Sequence, residues 1–435
     1  MSYGYEILGP WAIAGLVIAG IFALTILILS LFFRFGDDVP DRFIEGVYKV
    51  DSEEFLQAIS SLSNSPLKYG DDVKILKNGN EFFPALLTAL QHAKKSITCT
   101  VYIWEDGSIS TKVLDILIQK AKDGIEVRVL LDGFGCWYAP KDKFNELEKA
   151  GGKVDTFRPI RFGKITRYHK RTHRRAIVID GTTGFIGGAA IADKWLGDAE
   201  NESQWRDTMF EVTGEMAQSL QSAFAQLWAG TNGEILIGQT FYPLTQPSTK
   251  TSSNRYVSVI SSPASDTEPL GKMIWLSIRC AQKKVCITNS YLVPDQYIFK
   301  ALIERAEAGV DVSILIPNNS TDAKAIRHAT HYHYNTLMQA GIKIYEYQPT
   351  MMHSKILTID NVWSIIGSAN MDLRSVALNE ENVIGILDAK FGKKLDQMFA
   401  DDLSKSKQIN PKKWKKRNIF KRFLEIFFVR FMKQY

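Results

Sequence analysis

The feature that most constrains the fold is an internal duplication whose two copies lie 180 residues apart. Each copy follows the pattern His-x-(Lys or Arg)-x4-Asp, and a turn of small residues follows the aspartate after six intervening residues. The copies are His173, Arg175 and Asp180 with the turn 187–190, and His353, Lys355 and Asp360 with the turn 367–370. So long a period indicates two similar domains and excludes a solenoid of short repeats.

Alternating strands and helices flank both copies in the same order. Strands that alternate with helices are typical of the α/β class, with a parallel or mixed sheet covered on both faces. The predicted elements are strand Ser96–Trp104, helix Thr111–Ala121 and strand Ile125–Leu131, repeated as strand Lys284–Val293, helix Ile298–Ala308 and strand Val310–Ile316.

The N-terminal segment Trp11–Phe33 contains 23 residues and no charge. A helix of that length matches the hydrocarbon thickness of a bilayer, which predicts a transmembrane anchor. Lys and Arg occur only on its C-terminal flank, as Arg34, Arg42 and Lys49. We therefore expect a single-pass protein of the cell membrane with its catalytic domains on the cytoplasmic side.

The composition also divides the chain. The stretch Pro243–Arg255 is rich in Pro, Ser and Thr, as linkers are. The predicted division is 1–34 transmembrane anchor, 35–70 juxtamembrane connector, 71–242 first α/β domain, 243–256 linker, 257–402 second α/β domain, and 403–435 tail.

The tail carries most of the positive charge. The net charge of the chain is +6, and residues 404–435 hold eleven Lys and Arg against one acid, Glu425. Apolar residues from Ile419 to Phe431 recur near helical spacing, which favours a basic amphipathic helix on an anionic membrane surface. A solvated, disordered tail is the alternative. Because the rest of the chain is slightly acidic, no nucleic-acid partner is expected.

The four cysteines have neither CxxC nor Cys/His metal-ligand spacing. Two of them, Cys99 and Cys286, fall in apolar runs. We expect buried free thiols in a reducing compartment.

The spacing of the motif residues suits phosphate chemistry. On a strand, positions i and i+2 face the same way, so His353 and Lys355 project together. Such a pair suits one phosphate, with the imidazole at phosphorus and the ammonium on a non-bridging oxygen. Ser368 and Asn370 add further hydrogen-bonding groups. The pattern indicates phosphoryl transfer with one histidine from each half.

These motifs resemble the phospholipase D superfamily, whose members carry two HxKxxxxD motifs, each followed by a G(S/G)xN turn. More closely, the chain looks like the bacterial cardiolipin synthases over about residues 75–400. The matching stretches are Tyr102–Asp106 (YIWED), Leu131–Gly135 (LDGFG), Trp205–Thr208 (WRDT), Tyr345–Lys355 (YEYQPTMMHSK) and Ile366–Ser375 (IGSANMDLRS).

The resemblance implies two α/β/α-sandwich domains related by a pseudo-twofold, with the site at their interface. It also implies a reaction without metal or cofactor, in which one histidine forms a phosphohistidine and the other serves as acid and then base. Either histidine can be the nucleophile. Each needs an orienting carboxylate, and we expect Glu381 beside His353 and Asp207 beside His173. The predicted site residues are His173, Arg175, Asp180, His353, Lys355 and Asp360 (Asp180 and Asp360 in structural support), Ser368 and Asn370 at the phosphate, and Asp207 and Glu381 orienting the histidines.

The first copy departs from the family pattern at two positions. Arg175 replaces lysine and Ala190 replaces asparagine, so one cation is altered and one donor is lost. Arginine is larger and forms a rigid fork, and the exchange is therefore not neutral. We hypothesise that two N–H groups of Arg175 replace the missing contacts.

A basic insertion also distinguishes the first copy. From Pro159 to His173 there are 14 positions, against 4 from Pro349 to His353. A solvated loop and a positive rim that attracts anionic headgroups are both open interpretations. The basic residues of the insertion are Arg161, Lys164, Arg167, His169, Lys170 and Arg171.

The leading hypothesis is a membrane-bound phosphatidyltransferase with phospholipid substrates. By resemblance, it joins two phosphatidylglycerols and releases glycerol. One alternative is a hydrolase of the same superfamily that uses water as acceptor. The other is a lipid-binding relative with weakened or absent catalysis. The oligomeric state is left open.

Overall fold

The structure is a computed structural model that describes residues 9–32, 41–160, 170–244, 254–263 and 268–432. It divides into a unit that ends at Glu45 and a unit that begins at Gly46. The first unit contains helix α1 (Pro10–Phe32), where a helix is predicted. Counting only the described residues, no helix is long and apolar enough to cross a membrane. Arg34 lies outside the described residues.

The second unit contains the strands of both predicted domains. In chain order they are β1 (Lys68–Gly70), β2 (Lys74–Lys77), β3 (Ser96–Val101), β4 (Glu126–Asp132), β5 (Lys153–Phe157), β6 (Ala176–Ile179), β7 (Thr183–Gly187), β8 (Thr208–Thr213), β9 (Asn254–Ser261), β10 (Lys284–Thr288), β11 (Leu292–Val293), β12 (Asp311–Pro317), β13 (Lys343–Tyr347), β14 (Ile356–Ile359), β15 (Trp363–Gly367), β16 (Met371–Asp372), β17 (Glu381–Leu387) and β18 (Ser406–Gln408).

Helices separate these strands. They are α2 (Glu53–Leu62), α3 (Asn78–Gln91), α4 (Ser108–Lys122), α5 (Lys141–Lys149), α6 (Gly214–Asn232), α7 (Pro269–Arg279), α8 (Gln296–Glu307), α9 (Lys324–Gln339), α10 (Leu373–Ala377), α11 (Ala389–Ser404), α12 (Pro411–Lys415) and α13 (Ile419–Met432).

Two large sheets repeat one topology. The first has the order β2-β8-β7-β6-β3-β4-β5 and the second the order β1-β9-β17-β15-β14-β10-β12-β13-β18. In each, three parallel strands (β3, β4, β5 or β10, β12, β13) join an antiparallel set. The predicted α/β class and the duplication are confirmed.

Local sequence explains the predicted helices. The side chain of Asp295 accepts hydrogen bonds from the backbone N–H groups of Tyr297 and Ile298, which caps the start of α8. Gly124 and Gly309 follow α4 and α8 with φ values of +81° and +91°, a left-handed conformation that ends a helix. The helices predicted at both positions are therefore confirmed.

The two sheets share one apolar core. Ile186 and Phe210 of the first sheet lie in the same buried cluster as Ile366 of the second and Phe391 of α11. The rings of Phe210 and Phe391 are 6.0 Å apart, centroid to centroid. The halves are thus packed as one body, which fixes the distances between residues at their interface.

Buried ion pairs also join the halves. Arg206, which is fully buried, donates from Nε and Nη2 to the carboxylate of Asp402 at 3.0 and 2.7 Å. Arg174, which is also buried, donates to Glu380 at 2.9 Å. Each pair connects residues about 200 positions apart, so both require the complete two-domain fold.

The segments predicted as connector and tail contribute to the second half. Helix α2 packs there through Phe55, whose ring meets Trp363 edge-on at 5.3 Å, and β1 pairs with β9. Helix α11 extends to Ser404 and β18 pairs with β13, so residues 403–408 belong to the second half. Of the predicted linker, residues 245–253 lie outside the described residues and Asn254 already starts β9.

The four cysteines are buried and free, as predicted. Burial raises the pKa of Cys99 to about 12, which keeps this thiol protonated and unreactive.

We expect the substitution R206M to destabilise the protein by about 3–5 kcal/mol, because it leaves Asp402 buried without its partner. Chemical denaturation followed by intrinsic fluorescence measures this change. The matched control is K343M, which breaks the half-exposed pair of Lys343 with Asp311 and is expected to cost at most about 1 kcal/mol. Equal effects of the two substitutions would contradict a structural role for the buried pair.

Candidate active site

The two motif histidines lie at the interface between the halves, and each comes just before a central strand of its sheet. His173 precedes β6 and its backbone N–H donates to the carbonyl of Glu380 at 2.9 Å. His353 precedes β14 and donates in the same way to the carbonyl of Arg206 at 2.7 Å. Each histidine is therefore anchored to the opposite half. Both side chains are buried.

The orienting carboxylates also come from the opposite half. Nδ1 of His173 lies 3.0 and 3.1 Å from the two carboxylate oxygens of Glu381. Nδ1 of His353 lies 2.7 Å from Oδ2 of Asp207. The two predicted carboxylates are thus at the site, but the predicted pairing within each half is wrong. Because Nδ1 is engaged in both rings, Nε2 is the nitrogen left to react.

Asp207 is itself held in place. Its carboxylate accepts from the indole N–H of Trp195 at 2.9 Å and from the backbone N–H of Thr208 at 2.7 Å. Gly188 lies directly against it: a Cβ at that position would be 2.3 Å from Oδ1 of Asp207. Glycine is therefore required there, since any side chain would displace the carboxylate.

Ser368 occupies the position equivalent to Gly188 and serves the other carboxylate. Its hydroxyl donates a short hydrogen bond to Glu381 and accepts from the backbone N–H of Asn382 at 3.0 Å. The prediction that Ser368 contacts phosphate is therefore not supported by its hydrogen bonds, which hold Glu381 instead.

Lys355 adjoins His353 as the i, i+2 spacing predicts. Its ammonium donates to the Ser290 hydroxyl at 2.8 Å and to the carbonyl of His353 at 2.5 Å. It is also 3.1 Å from Nδ1 of the same ring. The lysine is thus positioned by its own half beside the reacting imidazole.

Arg175, the counterpart of Lys355, is fully buried and only partly satisfied. Its Nη1 donates to the carbonyl of His173 at 2.8 Å. Within the described part of the chain, its Nε and Nη2 have no hydrogen-bond partner, and neither has Oδ1 of the buried Asn370. Buried N–H groups without a partner are costly, so these donors of Arg175 are free to bind an anion.

The charge states follow from burial. Burial lowers the pKa of His173 to about 4, with Arg175 acting in the same direction and Glu381 opposing. Burial likewise lowers the pKa of His353 to about 4, with Lys355 acting in the same direction and Asp207 opposing. Both imidazoles are therefore neutral near pH 7, and either can act as a nucleophile.

Lys355 differs from Arg175 in how firmly it keeps its charge. Burial lowers the pKa of Lys355 to about 7, although Asp207 opposes the shift. A guanidinium starts from a much higher pKa and stays charged. At the site, Arg175 is thus the permanent cation and Lys355 the titratable one.

The motif aspartates are not brought to the site. Asp180 and Asp360 follow the far ends of β6 and β14, each with φ of +53°. Their carboxylates accept from three successive backbone N–H groups, those of residues 94–96 and 282–284. They hold the start of β3 and β10, so the predicted structural support is present and a catalytic contact is excluded.

Several residues of the site are not among those predicted from the sequence. The ring of Tyr102 meets that of His173 edge-on at 5.2 Å, and the rings of Trp195 and Trp205 lie 5.4 and 5.2 Å from that of His353. Tyr102 and Trp205 belong to the YIWED and WRDT stretches that match the family, so the sequence contained a signal for them. No sequence pattern indicates Ser290 or Trp195 as site residues.

The basic insertion is only partly described. Its residues Arg161, Lys164, Arg167 and His169 lie outside the described residues. Arg171 is buried, lies 3.6 Å from the carboxylate of Asp132, and donates to the carbonyls of Arg158 and Lys170. It is therefore a structural residue and does not belong to a positive rim.

The arrangement can carry a phosphate group between two nitrogen atoms. Each of the two neutral imidazoles has a carboxylate on Nδ1, and the backbone carbonyl of each histidine accepts a hydrogen bond from the cation of its own motif. Carboxylates on Nδ1 stabilise the imidazolium that forms when Nε2 takes up a proton or binds phosphorus. The cations stabilise negative charge on the non-bridging oxygens.

Proteins with similar sequences point to the same kind of chemistry. The family model described as "Cardiolipin synthase, PLD-like domain" matches residues 86–228 and 275–403. A cardiolipin synthase of Alkalihalophilus pseudofirmus is 36% identical over 365 residues, which cover 84% of this chain and 72% of that protein. Cardiolipin synthase 2 of Bacillus anthracis is 35% identical over 360 residues, covering 82% and 70%.

A solved structure shares the fold. The phosphatidylserine synthase of Haemophilus influenzae Rd KW20 superposes with a TM-score of 0.68 over 88% of this chain and 98% of that one. The two sequences are 17% identical, so this likeness concerns the fold alone.

We expect the two histidines to lower the free energy of unfolding as the pH decreases from about 6.5 to about 4. An unfolded histidine has a pKa of about 6.5, whereas both folded pKa values are about 4. As the pH falls, the unfolded state takes up protons first, and stability present above about pH 6.5 is lost. The unfolding temperature at pH 7 and pH 5 measures this loss.

The double variant H173Q/H353Q should lose less stability over that range than the unchanged protein. H92Q is the matched control, because the side chain of His92 is exposed. The same pH dependence in all three proteins would contradict the two buried neutral imidazoles.

Proposed function

The chain belongs to the cardiolipin synthase family of phospholipase D-like phosphatidyltransferases, and we propose that it joins two phosphatidylglycerol molecules into cardiolipin with release of glycerol. The observation that carries the proposal is the pair of crossed contacts, His173 with Glu381 and His353 with Asp207. In the proposed reaction, these two neutral imidazoles from opposite halves act on one phosphate.

The reaction proceeds in two displacements. Nε2 of one histidine attacks phosphorus, a P–N bond forms, and the P–O bond to glycerol breaks. The other histidine donates its proton to the departing glycerol oxygen. It then takes the proton from a hydroxyl group of the second phosphatidylglycerol, whose oxygen attacks phosphorus while the P–N bond breaks.

The proton donor must be an imidazolium, although both rings are neutral in the free protein. A bound phosphodiester brings negative charge next to both rings, and a nearby opposite charge raises the pKa of a histidine. Substrate binding thus supplies the protonated state that the first displacement requires.

The cations and the amide hold the phosphate oxygens in this proposal. Lys355 and Arg175 lie beside the two histidines. Asn370, which lines a small cavity together with Lys355, donates to a phosphate oxygen through its side-chain N–H groups. Ser368 takes no direct part, since its hydroxyl holds Glu381.

An exposed aromatic loop beside His173 supports a lipid substrate. Phe134, Trp137 and Tyr138 are 60%, 61% and 75% exposed. The carboxylate of Asp132 accepts from the backbone N–H groups of Phe134 and Thr172, which ties this loop to the residue preceding His173. Exposed aromatic side chains favour the membrane–water interface, so the loop suits contact with a bilayer next to the site. We therefore place the working enzyme at the cell membrane, with its phospholipid substrates.

The purified protein, supplied with labelled phosphatidylglycerol in vesicles, is expected to form cardiolipin and glycerol. H173A and H353A should each lower the rate by about 10²–10⁴-fold, because each removes a nucleophile or an acid–base group. Thin-layer chromatography of the lipids measures all products, and H92A is the control.

The outcomes distinguish the alternatives. Phosphatidic acid as the sole product would identify a hydrolase and contradict the transferase proposal. No product from the unchanged protein would identify a lipid-binding relative. Mass spectrometry of the acid-sensitive phosphohistidine after rapid denaturation at alkaline pH identifies the nucleophile.

The substitution R175K should lower the rate about ten- to a hundredfold. Lysine keeps a charge but lacks the two N–H groups of Arg175 that have no partner in the described structure, and a hydrogen bond to a charged group contributes about 1.5–3 kcal/mol. Initial rates under the vesicle assay measure the effect, with the unfolding temperature as control for folding. A faster enzyme would mean that arginine is a defect in the first motif.

A further inference from the structure

A positively charged concavity, whose lining includes none of the proposed catalytic residues, lies between α9 and the two C-terminal helices. It has a volume of about 410 Å³. Its lining comes from α9 on one side and from the α12–α13 region on the other. The lining residues are Tyr332, Asn335, Lys415, Arg417, Arg422, Glu425 and Ile426.

The groove has an excess of cations. Its single acid, Glu425, is buried and accepts from Arg417 Nε at 2.8 Å, with a second contact from the same guanidinium. Arg417 is thus committed to Glu425, and Lys415 and Arg422 carry the remaining positive charge. Tyr332 and Asn335 add a hydroxyl and an amide, so the lining offers the donors that a phosphodiester accepts.

The groove is preformed because the C-terminal helices are docked. Val429 is buried against Val293 and Ala329 of the second half. The rings of Phe428 and His328 stack at 5.5 Å, and Trp414 lies against Tyr334 at 4.8 Å. The tail that the sequence predicts as an amphipathic helix on the membrane surface is therefore packed on the second half along one face, and its other face points outward.

The outward face is apolar. Beside the groove, Phe423 and Phe427 are 62% and 54% exposed, and Ile426 of the lining is 46% exposed. Ile419 and Phe420 extend the same exposed surface at the start of α13. A cationic groove that borders a continuous apolar surface fits a molecule with an anionic head and apolar chains.

We propose that this groove binds the headgroup phosphate of an anionic phospholipid, with the acyl chains along the exposed face of α13. Charge complementarity and the adjoining apolar face together select a lipid over a soluble anion or a second protein copy. The site makes no contribution to the chemical step, because none of its lining residues belongs to the catalytic set. It provides a membrane attachment that is independent of catalysis.

The test compares two double variants of the full chain that each remove two positive charges from the same tail. K415Q/R422Q changes the groove, whereas K412Q/K413Q changes exposed lysines outside the lining. Binding is measured by co-sedimentation with vesicles of equimolar phosphatidylcholine and phosphatidylglycerol. We expect K415Q/R422Q to bind at least tenfold more weakly than K412Q/K413Q, and F423Q to bind more weakly than the unchanged protein.

Three results would overturn the proposal. Equal losses in the two double variants would mean that the tail acts only through its net charge. Displacement from vesicles by millimolar inorganic phosphate, with F423Q unaffected, would identify a soluble-anion site. A dimer that dissociates in K415Q/R422Q, seen by light scattering, would identify the face as a contact between copies.

A catalytic readout separates this site from the proposed reaction. Both double variants should turn over a short-chain, monomeric phosphatidylglycerol at the unchanged rate, and H353A should bind vesicles normally. Failure of the vesicle comparison then concerns the groove alone, and failure of turnover concerns the reaction alone.

Discussion

The crossed contact between each histidine and the carboxylate of the opposite half is the interaction on which the rest of the site depends. His173 receives both its backbone anchor and its carboxylate from residues 380 and 381, and His353 receives the same from residues 206 and 207. Neither half holds a complete site. The shared apolar core and the buried Arg206–Asp402 and Arg174–Glu380 pairs are therefore requirements of the chemistry as well as of the fold.

The two copies of the motif use different residues to position the carboxylate and the cation beside each histidine. Asp207 is short and lies against Gly188, whereas Glu381 is longer and is held by the hydroxyl of Ser368. Lys355 donates to Ser290, and the equivalent position of the first sheet is occupied by Tyr102, whose ring meets that of His173 edge-on. Arg175 thus occupies a differently shaped place from Lys355. Within the described residues, the Nε and Nη2 donors of Arg175 have no partner, which agrees with the phosphate contact that we propose. They do not indicate that the first motif has lost its function.

Local sequence patterns predict the structure most accurately. The strands around β3, β4, β10 and β12 follow from short apolar runs, and the ends of α4 and α8 from single glycines. Charged residues whose partner is distant in the chain are predicted least accurately. Arg171, in a basic run, is buried beside Asp132, and the pairing of Asp207 and Glu381 with the histidines was reversed. A carboxylate's sequence position does not tell which half it faces.

By itself, the sequence determined the duplicated α/β architecture and the two histidines with their cations, because strand periodicity and the i, i+2 spacing are properties of a few neighbouring residues. The comparisons agree with the family that these motifs indicate. Only the tertiary structure decided which carboxylate serves which histidine, how burial makes both imidazoles neutral, and that the C-terminal helix docks on α9 to leave a charged groove. Those properties arise where two surfaces distant in sequence meet and exclude water.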